Sequence, residues 1–348
     1  MKAGILESLK GWKKKAWSRW RQSAVILMYH RVAATNSDPQ LLCVFPENFR
    51  EHLEIIASQY HPCDLEQLAG SLQHNRLPAR SVAVTFDDGY ADNLHNAKPL
   101  LKTYDVPATV FVTSGLVDQD KEFWWDHLER LLLLPGDLPE TFEISINGKD
   151  WKWGLHPAER LTEEDYRRHL NWHVLEKDNP TPRHSIYRKL HALLRPLPEE
   201  ERRHLLNQFL QYSSLGAQAR LSHRILTAAE LRELAQGALI RIGAHTVTHS
   251  VLARLSLKEQ RAEIRQSKAR LEEITGYPVT TFSYPYGSPG DYAPETVAEL
   301  SAAKFSCACA NFAGRVTHSS SRWELPRFLV RNWPGDVFER FLAGCFHE

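Results

Sequence analysis

Short apolar runs alternate with longer amphipathic stretches through the first third of the chain. The apolar runs are residues 24–30, 81–86 and 107–113, and the helix-like stretches are 46–60, 64–73 and 91–104. The runs are rich in strand-forming residues and carry polar turns at their ends. This alternation is typical of a parallel sheet whose strands are joined by right-handed helical crossovers.

The alternation breaks between about residues 135 and 222. Residues 141–155 alternate around Asn147-Gly148, a two-residue sequence that favours a β-hairpin. Residues 157–211 are polar, charged and helix-like, with breaks at Pro180, Pro182, Pro196 and Pro198. We interpret 135–222 as an insertion over or beside the core. It either covers a site or is a stabilising appendage.

The strand and helix alternation resumes at Thr227. Thr227 with Glu230, and Ser256 with Glu259, have the spacing of capping boxes, which predicts a helix start at each. Further strands are expected near residues 238, 280, 305 and 325. With those near 25, 81 and 107 they make seven, enough to close or nearly close a βα barrel.

The first 22 residues have the pattern of a basic amphipathic helix. Apolar residues recur at helical spacing among lysines and arginines: Ile5, Leu9, Trp12, Ala16 and Trp20. Such a helix lies either on an anionic membrane surface or on the body of the protein. The basic residues interrupt the apolar stretch that a secretion signal needs. We therefore expect a cytoplasmic protein, with peripheral contact at the inner membrane surface as a further expectation.

Charge and cysteine content argue against a nucleic-acid binder and against a protein held together by disulfides or a zinc knuckle. Lys plus Arg total 43 against 42 for Asp plus Glu, a formal charge of +1, whereas a nucleic-acid binder that works mainly by charge is far more basic. The 5 cysteines have neither disulfide-framework nor zinc-knuckle spacing. Cys307 and Cys309 alternate on a predicted strand, so we expect both to be buried on one face.

Two carboxylates follow the strand at 81–86 directly. Catalytic groups of βα barrels collect at the C-terminal ends of the strands, so the position of Asp87 and Asp88 is informative. Adjacent carboxylates are costly to hold ionised without a positive charge nearby. A metal ion would supply that charge, with one carboxylate binding it and the other taking a proton from water. The alternative for this segment alone is a helix N-cap.

Two further polar clusters follow other predicted strands. His245 and His249 are four residues apart, which on one face of a helical turn suits a single metal ion. Two histidines and one aspartate leave positions open for water and substrate. Residues 284–287, Tyr-Pro-Tyr-Gly, would wall a pocket and aim a backbone N–H at an oxyanion, unless they form an ordinary turn.

The motifs TFDDGY, HTVTH and YPYG, in that order, resemble those of the polysaccharide deacetylase family, the NodB-homology group of carbohydrate esterase family 4. The resemblance covers residues 24–30, 81–115 and 226–330. It implies a distorted (β/α)7 barrel, an α/β fold, and metal-dependent removal of N-acetyl groups from amino sugars. The residues it implies are Asp87 as general base, Asp88, His245 and His249 as metal ligands, and the Tyr286 N–H as an oxyanion donor.

Two departures from the family pattern concern the base and the acid. Ser283 stands where the family motif begins with Arg, and Leu325-Pro326-Arg327 stands where a Leu-x-His supplies the general acid. We assign Arg327, with Tyr286, to the substrate-binding part of the site. A charge-assisted pair with Asp87 would let Arg327 replace the missing motif arginine.

Since the Leu-x-His that supplies the general acid is absent, our candidate for the general acid is His30. It ends the first predicted strand and should reach the same mouth of the barrel. The start MYHRV, residues 28–32, resembles the branch that includes biofilm poly-N-acetylglucosamine deacetylases. There an N-terminal-strand histidine replaces the missing one. The alternative is a structural histidine that caps the strand end.

These observations predict a metal-dependent hydrolase that removes N-acetyl groups from a glycan or glycolipid and takes no nucleic acid. One divalent metal is expected; zinc is the first choice, and cobalt, nickel and iron accept the same ligands. The alternatives are a catalytically decayed carbohydrate-binding or scaffold protein, or a deacylase of another small N-acylated substrate. Trp124 and Trp125 either stack on sugar rings or pack in the core.

Overall fold

The computed structural model describes residues 23–74, 76, 78–146, 148–210 and 219–346, so the predicted helix over residues 1–22 lies outside the described residues. The strands are β1 Ala24–Tyr29, β2 Arg31–Val32, β3 Cys43–Val44, β4 His61–Pro62, β5 Ser81–Phe86, β6 Ala108–Val112, β7 Gly136–Asp137, β8 Thr141–Ile146, β9 Lys149–Gly154, β10 Arg160–Leu161, β11 Ile240–Ala244, β12 Thr281–Ser283, β13 Cys307–Cys309 and β14 Phe328–Leu329. The helices are α1 Pro46–Gln59, α2 Leu65–Gln73, α3 Lys98–Tyr104, α4 Trp124–Leu133, α5 Glu163–Arg168, α6 Pro182–Leu194, α7 Glu199–Leu210, α8 Ala228–Ala235, α9 Leu257–Thr275, α10 Pro294–Ala302 and α11 Gly335–Cys345.

The main sheet is parallel, in the order β13-β12-β11-β6-β5-β1-β14, with the short β4 pairing with β5. Its two ends approach each other, because Leu325 bridges in parallel to Cys309 while Phe328 pairs with Leu27 of β1. The segment from Leu325 to Leu329 thus closes the barrel. All seven predicted barrel strands are present, and the (β/α)7 prediction is confirmed.

The strands form because alternate side chains are buried on both faces. Val25 and Leu27 of β1 belong to the larger core cluster, which also contains residues of the surrounding helices. Ala24 and Ile26 point into a smaller cluster, where Phe111 is fully buried. Cys307 and Cys309, as predicted, are buried together in that smaller cluster as free thiols.

The chain between α4 and α8 builds a second hydrophobic cluster beside the barrel. Apolar residues of α4, α6, α7 and the β8–β9 hairpin make up this cluster. The hairpin confirms the sequence prediction, with Ile146 paired to Lys149 across a two-residue connection. Helix α4 therefore links the barrel with the helices of the predicted insertion.

Both predicted capping boxes are present. Thr227 accepts a hydrogen bond from the Glu230 N–H at the start of α8, and Ser256 accepts one from the Glu259 N–H at the start of α9. In each box, the glutamate carboxylate accepts a hydrogen bond from the backbone N–H of the cap residue. Among the described residues, no helix has both the length and the apolar content needed to cross a membrane.

Candidate metal centre

The three predicted metal ligands meet at the carboxyl ends of two parallel strands, β5 and β11, which lie on either side of β6. Asp88 follows β5, and His245 and His249 follow β11. The Asp88 Oδ1 lies 3.6 Å from the His245 Nε2 and 3.3 Å from the His249 Nε2. One ligand atom from each residue falls within 4.8 Å of the others, and all three residues are buried. Because β5 and β11 are parallel, their ends bring these side chains to one mouth.

The two histidines converge by a different route from the predicted one. Residues 245–249 form a bent loop and no helical turn. Thr246 and His249 adopt left-handed backbone conformations, with φ of 63° and 55°. The Thr246 hydroxyl accepts a hydrogen bond of 2.9 Å from the His249 N–H. Asp88 is also left-handed, with φ of 77°. Such conformations are costly outside glycine and persist where the surroundings impose them.

Hydrogen bonding and burial prepare both imidazoles for a cation. The His245 Nδ1 donates to the Ser283 carbonyl at 2.7 Å, which leaves the Nε2 lone pair directed at Asp88. Burial lowers the pKa of His245 to about 4 and that of His249 to about 3, so both are neutral at pH 7. The Asp88 Oδ1 is buried and accepts no hydrogen bond from any described residue. Two neutral nitrogens and a bare carboxylate oxygen therefore fit a divalent cation.

Two groups that support the histidine loop were not found from the sequence. The Glu263 carboxylate of α9 accepts hydrogen bonds from the N–H groups of Val247 and Thr248, at 2.8 and 2.9 Å. The Gly115 N–H donates to the Val247 carbonyl at 2.9 Å, and a Cβ at Gly115 would lie 2.5 Å from that oxygen. Nothing in the local pattern distinguishes Glu263 from the other acidic residues of its helix.

Arg327 binds the second carboxylate of the pair, Asp87. Its guanidinium makes two hydrogen bonds of 2.7 Å to the carboxylate oxygens of Asp87 and one of 2.9 Å to the Ser283 hydroxyl. Burial opposes ionisation, but the Arg327 charge outweighs it and holds the pKa of Asp87 well below its usual range. The Arg327 side chain is fully buried. It therefore contacts Asp87 from within the core and orients the carboxylate, while its assignment to the substrate-binding part of the site stays a prediction.

His30 follows β1 and lies beside the same carboxylates. Burial lowers its pKa, while the charges of Asp88 and Asp87 act in the opposite direction. The Nδ1 of His30 is buried and has no hydrogen-bond partner among the described residues. The residue thus presents an unpaired nitrogen close to the centre, and it is neutral at pH 7.

Aromatic side chains surround His249 on three sides. The rings of Phe123, Trp125 and Tyr286 lie edge-to-face with its imidazole, at centroid distances of 5.7, 4.9 and 4.7 Å. Trp124 and Trp125 are each 5% exposed. These tryptophans therefore pack in the core, one of the two interpretations open from the sequence.

A second buried group of potential ligands has its charge already balanced. Asp126, Glu129 and His223 also bring ligand atoms within 4.8 Å of one another. However, Arg220 forms an ion pair with Glu129 at 3.0 Å, and the Tyr90 hydroxyl donates to Asp126 at 2.7 Å. The centre at Asp88 is therefore the better metal site.

Comparison with known families agrees with this geometry. The sequence pattern of the family described as Polysaccharide deacetylase matches residues 74–136 and 208–306. The chain carries a polysaccharide deacetylase domain. Its two matched parts contain the carboxylate pair and the histidine loop, and they flank the additional helices that pack on α4. The resemblance seen in the sequence motifs is confirmed.

Curated relatives of the deacetylase domain match over part of their length. The Bacillus subtilis (strain 168) protein YxkH, which bears the name of a polysaccharide deacetylase, is 34% identical over 101 residues, 28% of this chain and 35% of its own. A poly-beta-1,6-N-acetyl-D-glucosamine N-deacetylase of Staphylococcus aureus (strain MSSA476) is 24% identical over 147 residues, 38% of this chain and 48% of its own. The chain thus spans less than half the length of these relatives.

Solved structures of deacetylases share the fold. The deacetylase PplD of Streptococcus pyogenes, in complex with acetate, is 18% identical, with a TM-score of 0.56 over 92% of this chain and 98% of its own. The IcaB structure from Ammonifex degensii is 16% identical, with a TM-score of 0.53 over 93% of this chain and 97% of its own. Both matches cover more of the chain than the family pattern does.

Proposed function

We propose that this deacetylase domain hydrolyses the N-acetyl group of an amino sugar within a glycan, and that it uses one divalent metal ion. The observation that carries the proposal is the convergence of Asp88, His245 and His249 beside a separate carboxylate held by an arginine. A centre with one base and three ligands suits hydrolysis of an amide. A binding module needs no base beside its metal.

In the proposed reaction, the hydroxyl of a water adds to the acetyl carbon and the C–N bond breaks, giving acetate and a free amine. Asp88, His245 and His249 would hold the cation, which would supply Lewis acidity for the carbonyl oxygen and for the attacking water. Asp87 takes the proton of that water. Arg327 keeps the pKa of Asp87 low. In the proposed reaction the proton therefore does not stay on the carboxylate and is passed on toward the leaving nitrogen.

The leaving nitrogen needs a proton, and His30 is the candidate that passes it on. A neutral His30 must first receive a proton during the reaction, and its unpaired Nδ1 is free to do so. The backbone N–H of Tyr286 is the proposed donor to the tetrahedral oxyanion. Tyr286 is left-handed, with φ of 61°, so its peptide orientation is imposed by its loop.

The metal and substrate follow from the ligand set and the relatives. Two imidazoles and one carboxylate suit zinc, with cobalt, nickel and iron as competitors. Oligomers of β-1,6-linked N-acetylglucosamine are the first substrate to test, because the Staphylococcus aureus relative is named for that polymer. A lipid-linked or other small N-acylated sugar is the second.

The test measures bound metal and acetate release for the wild type, His249→Ala and His52→Ala. His52 is a buried histidine of α1 stacked on Phe338, so its variant controls for the loss of a buried imidazole. We expect about one metal ion per chain in the wild type and His52→Ala, and none in His249→Ala. Acetate release should follow the metal.

Two results would contradict the proposal in different ways. A wild type that binds no zinc, cobalt or nickel would rule out the metal centre. Full metal occupancy without acetate release from either class of N-acetylated sugar would instead favour the carbohydrate-binding alternative.

A further inference from the structure

Arg195, the residue after helix α6, contacts the loop that carries Tyr286. Its guanidinium lies over the Tyr286 ring, 4.3 Å from the centroid, and its Nη2 donates to the Asp291 Oδ1 at 2.6 Å. The Tyr286 ring in turn packs against the imidazole of His249. One arginine from the helices outside the family match therefore contacts both ends of the loop from residue 286 to residue 291.

Asp291 is itself tied to the backbone of the same loop and of a neighbouring one. Its Oδ2 accepts from the Ser288 N–H at 2.9 Å, and its carbonyl accepts from the Ala253 N–H at 3.0 Å. The Asp291 side chain is 8% exposed and that of Arg195 is 34% exposed, so the carboxylate end of the ion pair is shielded from water. A short pair with one partner buried fixes geometry better than a fully exposed pair.

The loop needs such a restraint because its backbone is strained. Tyr286 and Gly287 are both left-handed, with φ of 61° and 67°. A Cβ at residue 287 would lie 2.8 Å from the Asn311 nitrogen, so the chain passes close to its neighbour there. Left-handed non-glycine residues relax when the contacts around them are removed. The direction of the Tyr286 N–H therefore depends on what holds its side chain and loop.

A second arginine outside the family match contacts the histidine loop in a similar way. The Arg202 side chain is fully buried and its Nη2 donates to the Thr248 carbonyl at 3.3 Å, between the two histidine ligands in sequence. Its guanidinium also lies 5.4 Å from the Trp124 ring centroid, and the Trp124 Nε1 donates to the Tyr286 hydroxyl at 3.2 Å. The additional helices thus meet both loops of the centre.

We propose that Arg195 is a positioning residue of the hydrolytic site: it holds the Tyr286–Asp291 loop so that the Tyr286 N–H stays directed at the oxyanion. The inference rests on the proposed function for the role of that N–H. It makes the predicted insertion part of the active site, and excludes a purely stabilising appendage.

The test compares Arg195→Ala and Arg195→Lys with Arg188→Ala. Arg188 is a matched control, since it also lies over an aromatic ring, that of Trp172, and donates to a backbone carbonyl, that of Val174. We expect kcat for deacetylation to fall about tenfold to a hundredfold in Arg195→Ala, as displaced catalytic groups do, with KM and bound metal unchanged. Arg195→Lys keeps the charge and should recover part of kcat.

Asp291→Asn tests the same restraint from the other side. Its kcat should fall with that of Arg195→Ala, and the double variant should be no slower than the slower single variant, because both changes remove one interaction. Additive losses, or a kcat for Arg195→Ala no lower than that of Arg188→Ala, would overturn the inference. Loss of metal from Arg195→Ala would also overturn it, since the residue would then support the ligands.

Hydrogen exchange of the peptide over residues 284–291 separates this inference from the proposed function. Arg195→Ala should exchange faster there than the wild type, whereas Arg188→Ala should not. This measurement needs no turnover. If the wild type releases no acetate but the loop is loosened as expected, the proposed reaction fails and the restraint stands. If acetate is released and the loop exchanges unchanged, the restraint fails alone.

Discussion

The guanidinium of Arg327 binds both carboxylate oxygens of Asp87, at 2.7 Å each, from the segment that closes the barrel. This pair accounts for the departure at position 283. The arginine comes from residue 327, and the small Ser283 leaves room for it and bonds to both partners. The positive charge beside Asp87 is thus supplied by the residue that precedes β14. A bidentate pair orients a carboxylate more strictly than a single bond does.

Replacing Arg327 with Met should destabilise the protein by about 3–5 kcal/mol, because a buried carboxylate then loses its partner. The double variant Asp87→Asn/Arg327→Met should be destabilised by less than the sum of the single changes. Urea unfolding of the wild type, the two single variants and the double variant, with metal removed, measures the coupling free energy between Asp87 and Arg327. Additive effects would mean that the two groups do not stabilise each other.

Gly115→Ala should weaken metal binding although Gly115 is no ligand. The new Cβ would meet the Val247 carbonyl at 2.5 Å, so the loop between the two histidines must move. Gly154→Ala is the control, since a Cβ there meets nothing within 4 Å. Competition with a zinc chelator compares the affinities. Equal affinity in both variants would show that the loop adapts without cost.

Asp126 should make the protein less stable as the pH rises. Burial raises its pKa to about 8, so the folded state holds a proton that the unfolded chain releases near pH 4. The stability from this proton is complete below about pH 4 and is lost as the pH rises through about 8. Asp126→Asn should flatten that decline in urea unfolding between pH 5 and pH 8. Asp150→Asn, in the exposed strand β9, should keep the wild-type slope.

The sequence predicted the structure correctly where the physical rule involves only residues close together in the chain. Strands with both faces apolar, capping boxes and a two-residue hairpin turn each depend on residues close in the chain. The grouping of Asp88 with His245 followed from a general rule, that parallel strands end at one mouth. The helical turn expected at 245–249 was wrong, because Thr246 and His249 adopt left-handed conformations that residue spacing does not reveal.

The contacts that sequence reasoning missed connect distant parts of the chain. Glu263 reaches the histidine loop from helix α9, and Arg195 reaches the Tyr286 loop from beyond α6. Neither residue belongs to a motif, and each is one charged residue among many. Only the packing of α9 against the barrel and of α6 on α4 singles them out.

The position of Arg327 connects the carboxylate pair with the closing of the barrel. Leu325 bridges to β13 and Phe328 pairs with β1, so Arg327 lies between the two contacts that close the sheet. During synthesis the three proposed metal ligands, all before residue 250, emerge well ahead of the arginine that pairs with Asp87. A chain that ends before residue 325 would contain all three proposed ligands but lack the partner of Asp87. The closing of the barrel and the pairing of Asp87 therefore depend on the same short segment.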